Sequence, residues 1–226
     1  MRTAPASTSS TSTSRSAVSG APSSLRLSGR RVFRPTHLRT LGASLEVGAL
    51  LAGAVPAIDV LSPTARELRS TATVPDGRAL SEFVAFSIAQ DSTRWQELRS
   101  GARGAHWSPA ARALRAIDFV ILAVPVDALG EDVVFADRDA AAVDTRFASG
   151  LEDGTNALRR LHASDPEFRD AELLVPGLVE LSDIAIITVA NERVRDQVRE
   201  LFAAGEMRPP RIAVYPPAFQ PVDELV

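Results

Sequence analysis

The side chains of this sequence that could carry chemistry are mainly arginines, carboxylates and hydroxyls. All 25 basic residues are arginine, cysteine is absent, and the chain has three histidines and one tyrosine. Without lysine the protein can form no Schiff base and no P-loop, and without cysteine it has no thiolate nucleophile or thiolate zinc site. Histidine is the commonest general acid or base. This composition therefore favours a binding protein over an enzyme, and it leaves the catalytic residues of any enzyme unknown.

The three histidines are not spaced for a catalytic triad or a metal site. His37, His106 and His162 lie far apart, with no H-x-x-x-H spacing, and no G-x-S-x-G turn presents a serine. His106 and Trp107 form the loop with the most functional character, because an amphipathic aromatic residue in a flexible segment can grip a ligand. The alternative is that Trp107 packs this loop onto the core.

Acidic residues concentrate between residues 131 and 153. The segment contains seven of them: Glu131, Asp132, Asp137, Asp139, Asp144, Glu152 and Asp153. Clustered oxygen ligands can bind hard cations such as Mg²⁺. Several of these acids fall on a predicted helix, however, where they would point in different directions. We therefore expect a solvated acidic surface and predict no metal site.

Positive charge concentrates at the N-terminus. Residues 1–45 contain seven arginines and no acid, whereas the remaining 18 arginines share residues 46–226 with all 28 acids. Residues 3–24 are mostly Ser, Thr, Ala and Pro, a composition with too little apolar surface to fold. We therefore predict a disordered cationic arm over residues 1–36. Its arginines Arg26, Arg30, Arg31 and Arg34 would be available to a partner.

The composition of the arm leaves several roles open. It fits a plain tail, an Arg- and Ser-rich organelle transit peptide, or a segment that contacts the phosphates of nucleic acid or an anionic surface. The segment 28–33 also partly resembles a twin-arginine export signal, although Arg39 and Glu46 interrupt the stretch that should be uncharged. We expect a cytoplasmic protein, or an organelle-matrix protein if a transit peptide is cleaved. No apolar run reaches the 18 or so residues of a membrane span.

Behind the arm, alternating helix and strand signals predict one α/β domain over residues 37–226. The nearly continuous apolar runs Ile117–Val124 and Asp183–Val189 are typical of strands buried on both faces. Helix starts are indicated at Ser62 and Ser108, because each is a capping residue followed by a proline.

The last unit predicts a pair of parallel strands. Asn191 can cap a helix after the second run, Gly205 can end that helix, and residues 211–215 can form the next strand. This is a βαβ pattern, whose two strands pair in parallel with a right-handed crossover. We therefore predict a layered α/β fold with a mostly parallel sheet and flanking helices.

The two buried strands also suggest a ligand site. Asp118–Pro125 and Asp183–Ala190 resemble each other, and both resemble later strands of Rossmann-type dehydrogenases and nucleotide-sensing repressors. The resemblance implies NAD or NADP at the carboxyl ends of these strands, where the nearest polar groups are Asp127, Thr188 and Asn191. The glycine-rich turn G-x-G-x-x-G of that family is absent.

The function predicted from these features is a non-enzymatic binding, interaction or assembly protein without a cofactor. Its α/β body would bind a protein partner or self-assemble, while the arm would contact an anionic surface or nucleic acid. The alternative is a Rossmann-like nucleotide-binding domain, an oxidoreductase or a sensor, that binds NAD or NADP.

Overall fold

The computed structural model describes residues 25–222, which adopt a mixed α/β fold. The strands are β1 (Arg31–His37), β2 (Ala49–Leu51), β3 (Phe83–Ser87), β4 (Phe119–Pro125), β5 (Val134–Ala136), β6 (Phe147–Ser149), β7 (Glu172–Pro176), β8 (Leu178–Glu180), β9 (Ile186–Val189) and β10 (Arg211–Val214). The α-helices are α1 (Leu38–Val47), α2 (Pro63–Thr71), α3 (Thr93–Arg99), α4 (Pro109–Ala113), α5 (Gly150–Ser164) and α6 (Glu192–Ala204). None of these helices combines the length and the hydropathy that crossing a membrane requires.

Eight of the strands form one sheet, in the order β10-β9-β4-β1-β3-β7-β5-β6. Within the described residues only β9 and β10 pair in parallel, and every other neighbouring pair is antiparallel. The short strands β2 and β8 form a separate antiparallel pair. The α/β class is therefore confirmed, but the predicted mostly parallel sheet is wrong. A strand covered on both faces has the same continuous apolar run whichever way its neighbours point.

Strand β4 lies between two hydrophobic layers, as its composition predicts. Val120, Leu122 and Val124 join the main core, whereas Phe119 and Ile121 face a second core. All five side chains are at most 3% exposed. Successive side chains of a strand point to opposite faces of the sheet, and in β4 the side chains on both faces are buried.

The predicted βαβ unit is present in β9, α6 and β10. Thr188 of β9 lies opposite Ala213 of β10 in a parallel register. The Asn191 side chain accepts a hydrogen bond from the Val194 amide at 3.0 Å and so caps α6. Phe202 of this helix is fully buried in the main core.

Both serine–proline helix starts are also present. Ser62 Oγ accepts from the Ala65 amide at the start of α2, and Ser108 Oγ accepts from the Ala111 amide at the start of α4. The first of these caps matters for the site below, because α2 carries one of its arginines.

Residues 31–36, which the charge pattern placed in the arm, form most of β1 inside the sheet. This strand pairs with β4 over seven residues and with β3 at Phe33. Leu27, ahead of the strand, is also buried, and its amide donates to Thr155 Oγ1 of α5 at 3.1 Å. The fold therefore includes the part of the predicted arm from residue 25 onward. The disorder predicted for residues 1–24 falls outside the described residues.

Candidate active site

A cleft of about 340 Å³ opens where α2, the start of α3, the loop after β5 and the start of β7 meet. Its lining is rich in ionisable side chains. The lining residues are Ala65, Leu68, Arg69, Ser87, Ser92, Thr93, Arg94, Glu97, His106, Asp139, Ala141, Ala142, Arg169, Asp170 and Glu172.

The carboxylate of Glu172 lies in the wall of this cleft. Glu172 is the first residue of β7, pairs with Ser87 of β3, and is only 8% exposed. It accepts two hydrogen bonds from the Arg69 guanidinium, at 3.1 Å on Oε2 and 3.4 Å on Oε1, and one from the Ala140 amide at 3.1 Å. A two-point contact with a guanidinium fixes a carboxylate in direction as well as position. The sheet and this contact therefore hold Glu172 in a defined orientation.

Arg69 connects Glu172 to a second carboxylate, Asp139. Arg69 Nη1 donates to Asp139 Oδ1 at 2.7 Å. Burial alone would lower the pKa of Arg69, but the carboxylates of Glu172 and Asp139 outweigh it and raise that pKa. Burial would likewise raise the pKa of Asp139, but Arg69 and Arg94 together with the Ala141 amide lower it. Both members of this pair are therefore held in their charged forms.

Two further arginines surround the same carboxylate. Arg94 Nη1 lies 3.7 Å from Glu172 Oε1, and burial followed by repulsion from Arg69 lowers the pKa of Arg94. Arg34 donates to the Ala85 carbonyl at 2.6 Å. Burial, with repulsion from Arg69 and Arg94, lowers the pKa of Arg34 to about 10. The guanidinium groups of Arg34, Arg69 and Arg94 thus interact with one another and with Glu172, and guanidinium groups suit an anionic ligand such as a pyrophosphate.

The loop that the sequence singled out contributes one side chain to the cleft and one to the core. His106 lines the cleft, and its Nε2 lies 2.7 Å from Glu97 Oε2. Trp107 is 2% exposed, and its indole N–H donates to the same oxygen at 3.1 Å. Trp107 therefore packs the loop, and Glu97 orients the histidine.

The residues predicted for a Rossmann-like crevice are placed elsewhere. Asp127 accepts a hydrogen bond from the Gly29 amide at 2.9 Å, Thr188 is buried in β9, and Asn191 caps α6. None of the three lines the cleft described above. Their role in cofactor binding stays a prediction.

The four arginines predicted to meet a partner lie in β1 and in the segment that precedes it. Arg26 and Arg31 are exposed, and Arg31 begins β1. The Arg30 guanidinium lies 5.2 Å from the centre of the Phe168 ring. Arg34 interacts electrostatically with the arginines and the glutamate of the cleft. Of the four, Arg34 therefore lies near the candidate site, and Arg30 lies beside the loop that precedes β7.

Sequence reasoning missed Glu172, Arg69 and Arg94. A signal for Glu172 was present, because a single acid heads the apolar run at residues 173–175, and buried acids are rare unless paired. The two arginines carry no such signal, since nothing in their own helices distinguishes them from surface arginines. In the sequence, Asp139 stands out only as one member of the acidic cluster between residues 131 and 153. Within the described residues, no group of three or more His, Asp or Glu could hold a metal ion.

Comparison with known proteins identifies a family and a fold. The model of the family described as "DarT: ssDNA thymidine ADP-ribosyltransferase, DarT" matches residues 36–220. The chain is similar to Thermus sp. 2.9 DarT in complex with NAD⁺, with 25% identity, a TM-score of 0.65, and coverage of 84% of this chain and 96% of that one. The complex of the same protein with ADP-ribosylated ssDNA gives 24% identity and a TM-score of 0.70, over 84% of this chain and 95% of that chain.

A third similar structure is Thermosipho africanus DarTG in complex with ADP-ribose. It shares 21% identity with a TM-score of 0.64, over 84% of this chain and 51% of that one. None of the curated proteins matches the chain.

These matches correct two predictions. The non-enzymatic interaction or assembly protein is wrong, because the matching family model describes a transferase that acts on DNA. The absence of a cofactor is also wrong, because similar structures hold NAD⁺ and carba-NAD⁺. The physical reason for both errors is the same. Histidine and lysine chemistry and a glycine-rich dinucleotide turn leave local signals in a sequence, whereas this site consists of a carboxylate and arginines from distant elements.

Proposed function

We propose an activity from one premise: this chain belongs to the DarT family of ssDNA thymidine ADP-ribosyltransferases, whose model spans residues 36–220. The proposed activity is transfer of ADP-ribose from NAD⁺ to thymidine in single-stranded DNA. The observation that carries the proposal is the carboxylate of Glu172, buried in a cleft wall and oriented by the guanidinium of Arg69.

The proposed reaction needs a carboxylate at this place. The bond between the ribose C1′ and the nicotinamide nitrogen breaks, and a bond forms between C1′ and a thymine nitrogen. Because N1 of thymidine already carries the deoxyribose, the attacking atom is N3, whose proton must leave. A sugar that loses its C1′ substituent develops oxocarbenium character, which a nearby carboxylate stabilises. Glu172 can also accept the N3 proton as general base.

The arginines take two roles in this proposal. Arg69 is a positioning residue, because it holds both carboxylate oxygens of Glu172. Arg94 lines the cleft and lies 3.7 Å from the same carboxylate, so it can meet the pyrophosphate of NAD⁺ when the nicotinamide ribose lies at Glu172. Similar proteins have been solved with NAD⁺ and with ADP-ribosylated ssDNA, which supports this choice of substrates.

We also propose that the arginine-rich N-terminal segment contributes to DNA binding. Arg26 and Arg31 are exposed, and Arg34, on the same strand as Arg31, interacts electrostatically with Arg69, Arg94 and Glu172. Guanidinium groups beside a DNA-modifying site attract the phosphates of a strand that enters it.

The activity is tested by mass spectrometry of oligonucleotides incubated with the protein and NAD⁺. A single strand that contains thymidine should gain one ADP-ribosyl group, and a strand of equal length without thymidine should gain none. The Glu172→Gln variant should be at least about 100-fold slower, the lower range for loss of a general base.

A matched control is Glu180→Gln, which makes the same chemical change at an exposed residue of β8. This variant should keep the wild-type rate. Modification of both strands alike, or full activity of Glu172→Gln, would refute the assignment.

A further inference from the structure

One wall of the cleft carries an imidazole ring that its neighbours hold in place. His106 Nε2 lies 2.7 Å from Glu97 Oε2, and the ring centre lies 4.8 Å from that of the buried Trp107. A Cβ atom built on Gly104 would lie 2.5 Å from His106 Cε1, so the absence of a side chain at Gly104 makes room for the ring. The His106 side chain is nevertheless 41% exposed, and it lines the cleft. The ring therefore presents a fixed surface to a ligand.

The backbone of the same loop is joined to the start of α2. The Ser62 amide, at the N-cap of α2, donates to the His106 carbonyl at 2.8 Å. At the other end of the loop Ala102 is fully buried with a φ of +51°, and its amide donates to the Glu97 carbonyl at 2.8 Å. His106 therefore keeps a defined position relative to α2.

The side of α2 that lines the cleft exposes a leucine. Leu68 is 56% exposed and belongs to the cleft lining, and apolar side chains are the usual lining of a site for a planar organic group. Leu68 follows Ser62 by six residues, about 9 Å along the helix axis. A flat base needs about 3.5 Å from its plane to the atoms on each side. The cleft therefore has room for one base between Leu68 and the end of α2 that is bonded to His106.

This space adjoins the carboxylate of the proposed reaction. Arg69, the neighbour of Leu68 in the chain, donates to both carboxylate oxygens of Glu172. His106 interacts electrostatically with Asp139, which also accepts from Arg69. A base held here is therefore close to the group that would accept its N3 proton.

We propose that the target thymine stacks on the ring of His106, opposite Leu68, with its N3 edge toward Glu172. Unpaired bases stack on histidine as on other aromatic side chains, and Leu68 would cover the second face of the base. Glu97 is a positioning residue in this arrangement, because it fixes the imidazole. The inference rests on the proposed function, because it names the residues that hold the proposed acceptor base.

The test measures how the full-length chain binds two labelled single strands in the absence of NAD⁺, so that nothing is transferred. The strands differ at one position, which holds either their single thymidine or an abasic site. By fluorescence anisotropy the wild type should bind the thymidine strand about tenfold more tightly. His106→Ala and Leu68→Ala should bind both strands equally. His106→Phe keeps an aromatic face and should retain most of the preference.

Matched controls make the same changes outside the cleft lining. His162→Ala removes a histidine from α5, and Leu178→Ala removes a leucine that is 47% exposed on β8. Both should keep the wild-type preference. In ADP-ribosylation assays KM for DNA should rise about tenfold in His106→Ala and Leu68→Ala, while KM for NAD⁺ stays unchanged.

The outcomes separate this inference from the proposed function. A thymidine preference that survives in folded His106→Ala and Leu68→Ala, as judged by thermal unfolding, would overturn the stacking site. A wild type without any preference would overturn it as well. So would a rise in KM for NAD⁺ instead of DNA, because the ring would then contact the dinucleotide. Wild-type protein that prefers the thymidine strand but transfers no ADP-ribose would refute the proposed function alone.

Discussion

At the scale of single residues, the candidate site depends on charges that compensate one another. Glu172 and Asp139 share Arg69, and against the effect of burial the charges of Arg69 and Arg94 lower the pKa of Asp139. Removing one member of such a group leaves its partner's charge uncompensated, which costs more than the pair itself contributes. A substitution that keeps the charge of such a residue but changes its geometry tests how the residue orients its partner, without leaving a charge uncompensated.

Arg69→Lys keeps a positive charge but cannot contact both oxygens of Glu172. We expect kcat for ADP-ribosylation to fall by about 100-fold, the cost of a misplaced catalytic group, with a smaller change in KM for NAD⁺. Steady-state kinetics on a thymidine-containing strand measure both. Arg66→Lys, on the same helix with a side chain 55% exposed, is the control and should keep the wild-type kcat. An unchanged kcat in Arg69→Lys would remove Arg69 from its positioning role.

The lowered pKa of Asp139 predicts that the free energy of unfolding depends on pH. Its pKa in the folded protein is lowered, because the attraction of Arg69 and Arg94 and the Ala141 amide outweigh burial. Such a group stabilises the fold above its unfolded pKa, about 4, and this stabilisation is lost as the pH falls through the lower folded pKa. Denaturant unfolding from pH 3 to 7 should show that Asp139→Asn lowers the free energy of unfolding at pH 7 and less at pH 3.

The control for Asp139 is Asp144→Asn, which removes an exposed ion pair with Arg138. Exposed pairs contribute little, so this variant should resemble the wild type throughout. A deficit for Asp139→Asn that is equal at every pH would show that its charge does not stabilise the site.

At the scale of elements, close packing around helices places the strands and loops of the site. A Cβ atom built on Gly154 of α5 would lie 2.7 Å from Leu27 Cδ1 and 3.2 Å from Phe135 Cβ. The absence of a side chain at this position lets α5 approach both β5 and the segment ahead of β1. On Gly42 of α1 the corresponding Cβ would meet Leu201 Cδ2 at 3.6 Å, an ordinary contact.

These two glycines make a matched pair of predictions. Gly154→Ala should lower the free energy of unfolding by about 1–3 kcal/mol through overpacking, although alanine is the better helix former. Gly42→Ala should raise it by about 0.5–1 kcal/mol, because the contact is relaxed and the gain in helix propensity remains. Denaturant titration measures both. Equal effects of the two substitutions would contradict the packing described for α5.

The cap of α6 distinguishes a structural role from a cofactor role. Asn191→Ala should lower the free energy of unfolding by about 1 kcal/mol through loss of the cap, and thermal unfolding measures this. KM for NAD⁺ should not change, because Asn191 lies outside the cleft lining. Asn191→Asp retains a capping oxygen and should restore stability. A several-fold rise in KM for NAD⁺ would instead place the dinucleotide at the carboxyl ends of the central strands.

At the scale of the whole molecule, the proposed function requires a protein of net charge −3 to attract a polyanion, single-stranded DNA. The uneven distribution of charge can reconcile the two, because residues 1–45 contain seven arginines and no acid. Binding to single-stranded DNA should weaken with salt, with a slope in log–log form of about −0.7 for each neutralised phosphate.

Removing the exposed arginines Arg26 and Arg31 together should therefore flatten the salt dependence. We expect a change in slope of about 1.4 if each contacts one phosphate, measured by anisotropy at several salt concentrations. Arg211→Ala, at an exposed position on β10, is the control and should leave the slope unchanged. An unaltered slope in the double variant would exclude these two arginines from the path of the strand.

Local signals in the sequence were sufficient for several elements and insufficient for the sheet. The caps at Ser62, Ser108 and Asn191 and the burial of β4 depend on neighbouring residues and on periodicity, so they could be predicted. The direction of strand pairing depends on which strands meet, and the apolar pattern of a doubly covered strand does not encode it. Strand β1 was missed because its arginines suggested a solvated arm.

The same division between local and distant information applies to the function. Composition and local pattern determined the α/β class, the helix caps and the βαβ unit at residues 186–214. Only the tertiary structure decided the site, because Arg34, Arg69, Arg94, Asp139 and Glu172 lie on five separate segments that the antiparallel sheet brings together. A buried arginine and a solvated one have the same side chain. What distinguishes them is a carboxylate contributed by another part of the chain, and no spacing along the sequence records that contact.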